Sequence, residues 1–150
     1  FIHIIPEQKA GKLIFDSKLC DSDWCKINPE TFQLSNFKDI YAVGDSIDAG
    51  DMPKSAFSAE SQAKILSLNL VNRILEKAYL NPVFLNTCYS FSSNDRAFSI
   101  TSWYKLNFAK DKIVSLGSSQ SSEKGFADER IRESKEAFGW YESITKSLYG

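Results

Sequence analysis

The sequence predicts an α+β chain, in which the end of a ligand-binding α/β unit is followed by a small antiparallel sheet and a closing helix. Three observations lead to this prediction. Short β-branched segments fill the first 50 residues, a run with helical periodicity follows Pro53, and beyond Pro82 the hydrophobic period changes to two. We therefore predict two parts, residues 1–80 and residues 81–150.

The first part is predicted to begin with short strands separated by turns. The predicted strands are residues 1–5, 12–15, 32–34 and 40–43. Each is apolar or β-branched, as is typical of buried strands. Pro6 ends the first, and Asn28-Pro29 marks a turn, because the residue before a proline is pushed away from the helical region.

The pair Gly44-Asp45 follows the last of these strands. Gly44 has no Cβ, so its backbone can approach a ligand closely. Asp45 places a carboxylate at the carboxyl end of a strand, where open α/β sheets bind their ligands. Such a carboxylate suits a hydroxyl-bearing ligand. On spacing alone, however, the favoured interpretation is a strand-terminating turn, because Gly and Asp are both common in turns.

A helix is predicted to begin at Pro53 or Ser55, since proline suits a first helical turn and serine suits a cap. Its apolar stripe consists of Ala59, Ala63, Leu66, Leu70 and Ile74. The two alanines would let that end pack close to a sheet or a planar ligand. We expect this helix to end near Lys77.

The second part is predicted to be a hairpin followed by a helix. Residues 83–91 and 96–108 alternate as strands do, with a polar turn between them, and residues 113–116 are a candidate third strand. Residues 117–125 are rich in serine and glycine and are predicted to be a mobile loop. A charged helix follows from Phe126. Its apolar stripe consists of Ala137, Tyr141, Ile144 and Leu148, with Trp140 beside it.

The composition excludes several classes of function. The net charge is −1, with 18 basic and 19 acidic residues, so no basic surface for nucleic acid is indicated. No apolar run is long enough to span a bilayer. With one histidine, His3, and three cysteines, Cys20, Cys25 and Cys88, we predict no metal site and no catalytic triad within the chain. The odd cysteine count leaves one thiol for a partner or for chemistry.

Five segments, taken together and in order, resemble a known family. They are Trp24-Cys25-Lys26-Ile27-Asn28-Pro29-Glu30-Thr31-Phe32, Val43-Gly44-Asp45, Met52-Pro53-Lys54-Ser55-Ala56-Phe57-Ser58-Ala59, Leu85-Asn86-Thr87-Cys88-Tyr89-Ser90 and Gly139-Trp140-Tyr141. The chain is similar to the C-terminal part of the flavoprotein subunit of flavocytochrome c sulfide dehydrogenase. The segment around Cys88 is the most specific of the five.

The resemblance implies a domain organisation and a cofactor. Residues 1–80 match the C-terminal part of an FAD-binding domain, and residues 81–150 match a C-terminal interface domain. The glycine-rich phosphate loop and the second redox cysteine of the family are expected upstream of Phe1. We therefore expect a fragment that binds FAD poorly alone. It should expose apolar surface around residues 1–5 and the Ala59 face, which is compatible with a dimer.

The resemblance also implies roles for individual residues. Cys88 matches one cysteine of the disulfide that sulfide attacks beside the flavin. The cofactor-binding matches are Gly44 and Asp45 for the FAD chain, and Lys54, Ser55 and Ala56 for the turn beside the flavin ring. Trp140 matches an aromatic residue near the route from flavin to haem. From spacing alone, Cys88 fits a buried structural thiol, Lys54 a solvated lysine and Trp140 a packing residue.

The other two cysteines are given no chemical role. Cys25 lies in a matching segment and is expected to be a buried structural thiol, whereas Cys20 lies outside the matching segments. We expect neither of them to pair with Cys88.

The activity implied by the resemblance is periplasmic sulfide oxidation, with electrons passing through FAD to a c-type cytochrome subunit. One alternative is a sulfide:quinone oxidoreductase. The mixed charges between Asp128 and Glu136 argue against it, because a helix on a membrane surface is usually basic with a strongly apolar face. The other alternative is a non-catalytic module that docks a cytochrome or a second copy of the chain.

Overall fold

The computed structural model describes all 150 residues as an α+β fold, which confirms the predicted class. The elements in chain order are α1 (Lys12–Asp16), a 3-10 turn (Gly44–Ser46), α2 (Ala56–Ile74), β1 (Val83–Ser93), β2 (Arg96–Leu106), β3 (Ile113–Gln120) and α3 (Ala127–Tyr149). No helix combines the length and the apolar character needed to cross a membrane.

The three strands form one antiparallel sheet in the order β1-β2-β3, as the alternating pattern predicts. Cys88 on β1 lies opposite Ile100 on β2. The prediction of a mobile loop over residues 117–125 is wrong for its first four residues, which continue β3 as far as Gln120. Ser118 and Gln120 pair with Ser102 and Ile100, so the available edge of β2 outweighs the weak strand propensity of serine and glycine.

The strands predicted in the first 50 residues do not form. Residues 1–5 have no regular secondary structure and are exposed. Residues 12–15 lie in the short helix α1 instead. Residues 32–34 and 40–43 make only single bridges, Ile27 to Leu34 and Gln33 to Tyr41. Phe32 has φ 58°, outside the extended region, so a continuous strand cannot pass through it.

The hydrophobic core joins the loops of the first part to one face of the sheet. Its buried members are Cys25, Phe32, Leu34, Ile47, Ala49, Met52, Phe84, Tyr104, Leu106 and Ile113. Phe32 and Phe84 meet edge to face, with ring centroids 5.8 Å apart and an interplanar angle of 84°. The boundary near residue 80 stays a prediction, and the core packs residues from both sides of it.

Helix α2 begins where the sequence predicts but buries a different face. Ser55 caps it, and its Oγ accepts the amide of Ser58 at 3.1 Å. The helix ends at Ile74, three residues before Lys77. Its buried residues are polar: Ser58, Gln62 and Asn69. The predicted apolar stripe is only half-buried, and Ile74 is 78% exposed.

The polar residues of α2 are buried because α2 packs on turns and on the edge of β1, where backbone groups need partners. The Oε1 atom of Gln62 accepts the Gly44 amide at 2.7 Å. Asn69 accepts the Leu80 amide at 2.9 Å and donates to the carbonyl of Glu30 at 3.2 Å. These bonds tie the helix to the turn before it and to the segment after it.

Helix α3 begins at Ala127, close to the predicted start, and packs mainly on β2. Its predicted apolar stripe is buried only at Ala137. Ile144 is half-buried, and Tyr141 and Leu148 are exposed. A polar link between helix and sheet is Glu133, a buried carboxylate that accepts the Ser99 hydroxyl and that the apolar periodicity does not reveal.

Candidate functional site

Cys88 lies on β1 with an exposed, unpaired thiol. In a strand, side chains two residues apart share a face, so Cys88 points to the same side as Asn86 and the core residue Phe84. Asn86 is only 4% exposed. Its Nδ2 atom donates to the Cys88 Sγ atom at 3.4 Å. Its Oδ1 atom accepts the hydroxyls of Ser55 at 2.6 Å and Ser58 at 3.2 Å.

A cavity of about 500 Å³ opens beside Cys88. Its walls come from the start of α2, from β1 and from α3, and aromatic side chains supply most of them. The lining residues are Ser55, Ala56, Phe57, Thr87, Cys88, Tyr89, Phe91, Ala137, Phe138, Trp140 and Tyr141. Two ring pairs shape it: Phe57 stacks on Trp140 at 5.3 Å and 19°, and Phe91 contacts Phe138 at 5.3 Å and 58°.

The structure brings four of the predicted site residues to this cavity: Ser55, Ala56, Cys88 and Trp140. Trp140 is half-buried, and besides stacking on Phe57 it donates its Nε1–H to Glu60 at 3.2 Å. In the first turn of α2, the amides of Ala56 and Phe57 have no acceptor within the chain. The residues that carry these two amides and the residue that carries the thiol therefore border the same cavity.

Gly44 and Asp45 lie in the 3-10 turn rather than at the end of a regular strand. They do not line the cavity beside Cys88. Gly44 has φ 78°, and a Cβ built on it would meet the Cβ of Ala59 at 3.2 Å. This close approach to α2 is why glycine suits the position. The Asp45 carboxylate is exposed and makes no side-chain hydrogen bond within the chain.

A second cavity, of about 760 Å³, lies between α2 and the end of α3. Its lining includes Val43 next to the 3-10 turn, both alanines of the predicted stripe, and Ile144 and Leu148 from α3. Ala56 borders both cavities. The small side chains of α2 thus border open space, and close packing of a planar ligand against them stays a prediction.

Lys54 directs its ammonium away from the cavity that contains Cys88. Its Nζ atom donates to the carbonyl of Ile47 at 2.7 Å and lies 3.8 Å from the ring centroid of Trp24. Burial lowers the pKa of Lys54, while Asp45 and Asp48 act in the opposite direction. Lys54 therefore fastens the 3-10 turn to the start of α2, and its contact with a flavin stays a prediction.

The other two cysteines differ from Cys88 in their surroundings. Cys25 is fully buried, and burial, followed by a hydrogen bond with Cys20, raises the pKa of the Cys25 thiol to about 12. A thiol with such a pKa is a poor nucleophile near neutral pH. All three cysteines are free, so no disulfide joins Cys25 to Cys88.

Three polar residues that hold predicted site residues in place were missed from the sequence: Asn86 and Ser58, beside Cys88 and Ser55, and Gln62, on Gly44. A signal existed for each. Asn86 stands two residues before Cys88, which in a strand puts both on one face. Ser58 and Gln62 follow Ser55 at steps of three and four, which puts all three on one face of α2. Only the packing shows that this polar face of α2 is buried.

Comparisons with known proteins give a family match for the second half of the chain and two named relatives. Residues 80–149 match the family described as flavocytochrome c sulphide dehydrogenase, flavin-binding. This match confirms the predicted class, flavoproteins of the oxidoreductase type. The matching segment contains all three strands of the sheet and α3.

Two relatives carry the name ferroptosis suppressor protein 1. The protein from Mus musculus is 33% identical over 115 residues, which cover 71% of this chain and 30% of the relative. The protein from Taeniopygia guttata is 28% identical over 92 residues, covering 60% of this chain and 24% of the relative. The matched region spans less than a third of either relative.

Proposed function

We propose that this chain is part of an FAD-dependent sulfide dehydrogenase in which Cys88 belongs to a redox-active disulfide. The observation that carries the proposal is the placement of the exposed Cys88 thiol in one cavity with the first turn of α2. The family match supports the flavin, and the sequence around Cys88 supports the redox role.

The residues present fit a flavin in two respects. The free amides of Ala56 and Phe57, together with the positive end of the helix dipole, suit a ring that carries negative charge when reduced. Asp45, in the 3-10 turn, offers an exposed carboxylate to a hydroxyl of the FAD chain. When bound, FAD would accept an electron pair from the reduced sulfur site.

The chemistry assigned to Cys88 begins from its disulfide with a second cysteine, expected upstream of Phe1. A hydrosulfide ion attacks one sulfur, the S–S bond breaks, and one cysteine becomes a persulfide while the other leaves as a thiolate. The charge is conserved, and the two electrons of the broken bond stay on the leaving sulfur. Exposure of Cys88 supports this role, since attack needs access.

Electrons would leave toward a periplasmic c-type cytochrome. Trp140 supports this part of the proposal, because it stacks on Phe57 in the first turn of α2 and borders the cavity beside Cys88. Trp140 lies on α3, so this contact joins the first turn of α2, beside which the flavin is proposed to bind, to the C-terminal helix.

The test is Cys88→Ser in the full-length protein, with Cys20→Ser as the matched control. Serine is nearly isosteric but forms neither a persulfide nor a disulfide. We expect sulfide-dependent cytochrome c reduction to be abolished in Cys88→Ser, while flavin absorbance stays at the wild-type level. Asp45→Ala should do the reverse and lower the flavin content, because a ribityl hydroxyl loses a charged acceptor worth about 1.5–3 kcal/mol. Near-normal turnover in Cys88→Ser would refute the redox role and favour the non-catalytic docking module.

A second candidate differs only in the electron acceptor. The aromatic lining of the 500 Å³ cavity suits a planar apolar molecule such as a quinone, as in the sulfide:quinone oxidoreductase alternative. Parallel assays with a soluble quinone and with a c-type cytochrome distinguish the two. Faster sulfide-dependent reduction of the quinone would favour this second candidate.

A further inference from the structure

The side chain of Asn86 connects the thiol of Cys88 to the first turn of α2. It is almost fully buried between them, and it is two residues from Cys88 on the same face of β1. A buried amide costs free energy unless its donors and acceptors are satisfied, so its position here calls for a specific set of partners. Those partners are one sulfur atom and two hydroxyl groups.

The hydroxyl groups set the orientation of the amide. The Ser55 Oγ atom already accepts the Ser58 amide at 3.1 Å, so its own proton is available to donate to the Asn86 Oδ1 atom at 2.6 Å. Ser58 adds a second hydroxyl donor at 3.2 Å. With two donors on its oxygen, Asn86 must turn its NH₂ group toward the Cys88 Sγ atom, where it lies 3.4 Å away.

We propose that Asn86 is a positioning residue that holds the Cys88 sulfur in place and favours its thiolate form, with Ser55 and Ser58 fixing the amide. This inference rests on the proposed function, in which Cys88 is the reactive thiol. An N–H donor stabilises a negative sulfur more than a neutral one, so it favours the charged form. Because Ser55 is also the cap of α2, the same contacts hold the thiol in register with the free amides of that turn.

Asn86→Asp is the sharpest variant, because it keeps the shape and the oxygen that accepts from both serines. It loses the donor to sulfur and adds a negative charge beside it. Ser58→Ala is the second variant, since it removes one of the two hydroxyls that orient the amide. Thr101→Val is the matched control, because it deletes a side-chain hydrogen bond of the neighbouring strand, the one with Thr87 at 3.0 Å.

The measurement is the alkylation rate of Cys88 by iodoacetamide in the reduced full-length protein, followed on the Cys88 peptide by mass spectrometry. At about pH 7 we expect Asn86→Asp to react at least tenfold more slowly than wild type, the low end for a lost hydrogen bond to a charged atom. Ser58→Ala should react about threefold more slowly, and Thr101→Val at the wild-type rate. At about pH 10, where thiols are largely ionised, Ser58→Ala should match wild type.

The buried Cys25 thiol reports on folding in the same experiment, because it reacts only if the core opens. Slow Cys88 alkylation with Cys25 still protected supports the inference. Wild-type rates in both Asn86→Asp and Ser58→Ala, with Cys25 protected, would overturn it. If Asn86→Asp exposes Cys25, the Cys88 alkylation rate of Ser58→Ala decides alone. With Cys25 protected, a slower rate supports the inference and a wild-type rate overturns it. Alkylation needs neither sulfide nor a cytochrome, so a failed Cys88→Ser turnover test would refute the proposed function separately.

Discussion

Replacing Glu133 by glutamine should loosen α3 from the sheet. The Oε1 atom of Glu133 accepts the Ser99 hydroxyl at 2.9 Å and a short hydrogen bond from the Ser121 hydroxyl. Its Oε2 atom pairs with Arg130 at 2.9 Å. The Glu133 side chain is 7% exposed and that of Arg130 16%, so solvent screens the pair only weakly. Glutamine keeps the size but removes the charge and turns one acceptor into a donor that faces Arg130.

The expected loss of unfolding free energy follows from these contacts. Breaking a buried ion pair by removing one partner costs about 3–5 kcal/mol. Arg130 also donates to the Ser122 carbonyl and reaches some solvent, which lowers the cost of leaving it without a carboxylate. We therefore expect Glu133→Gln to reduce the free energy of unfolding by about 2–3 kcal/mol. For a chain of this size, about 2–4 °C per kcal/mol corresponds to a fall in Tm of roughly 4–12 °C.

The same carboxylate should make stability depend on pH. Burial raises the pKa of Glu133, but hydrogen bonds from Ser121, Ser99 and Arg130 outweigh it and lower the pKa below the ordinary 4.5. A carboxyl group with a depressed pKa in the folded state stabilises the fold above its unfolded pKa. That stability is lost as the pH falls through the lower, folded value. Wild-type Tm should therefore drop below about pH 4.5, while the Glu133→Gln protein shows a smaller drop over that range.

Thermal unfolding by circular dichroism, across a pH series, measures both effects. Glu136→Gln is the matched control, because Glu136 is exposed on the same helix and pairs only with Arg132. Its Tm should stay near the wild-type value, since exposed pairs contribute about 0–1 kcal/mol. The reasoning fails if Glu133→Gln melts within a degree or two of wild type at neutral pH, or if its acid sensitivity equals that of wild type.

Two further predictions concern the 3-10 turn and the cavity beside Cys88. Gly44→Ala should lower the free energy of unfolding by about 1–2 kcal/mol, because alanine is strained at φ 78° and its Cβ would crowd Ala59. Denaturant unfolding measures this, with Gly11→Ala as the control. Trp140→Leu in the full-length protein should slow cytochrome c reduction without lowering flavin content, since it removes the ring stacked on Phe57. Unchanged turnover would mean that Trp140 only packs the helix.

Local pattern was enough to predict the hairpin and the closing helix of the second part, although not the full length of β3 or the buried face of α3. The hairpin alternation of β1 and β2 and the helical run of α3 each carry their own signal, and each element pairs with a neighbour close in sequence. Residues 32–34 and 40–43 have the same apolar character but depend on distant partners. Short apolar runs do not specify pairing, so they became turns and single bridges around the core.

The roles of the predicted site residues stay predictions, and the structure shows where those residues lie. Ser55, Ala56, Cys88 and Trp140 do meet at one cavity, although they come from three separate elements. The buried contacts that connect them were not predictable from spacing. Asn86 is an example, because it makes hydrogen bonds with a sulfur and two hydroxyls that only the packed structure brings within reach.

The shared core has a consequence for how the family segment can be used. The segment begins at residue 80, but its sheet contributes Phe84, Tyr104, Leu106 and Ile113 to a core completed by residues 25–52. Cut out or grafted onto another protein, residues 80–149 would present those four side chains to water. The segment is thus a unit of sequence similarity rather than a unit of folding, and the loops around Phe32 are the surface that any transplant must supply.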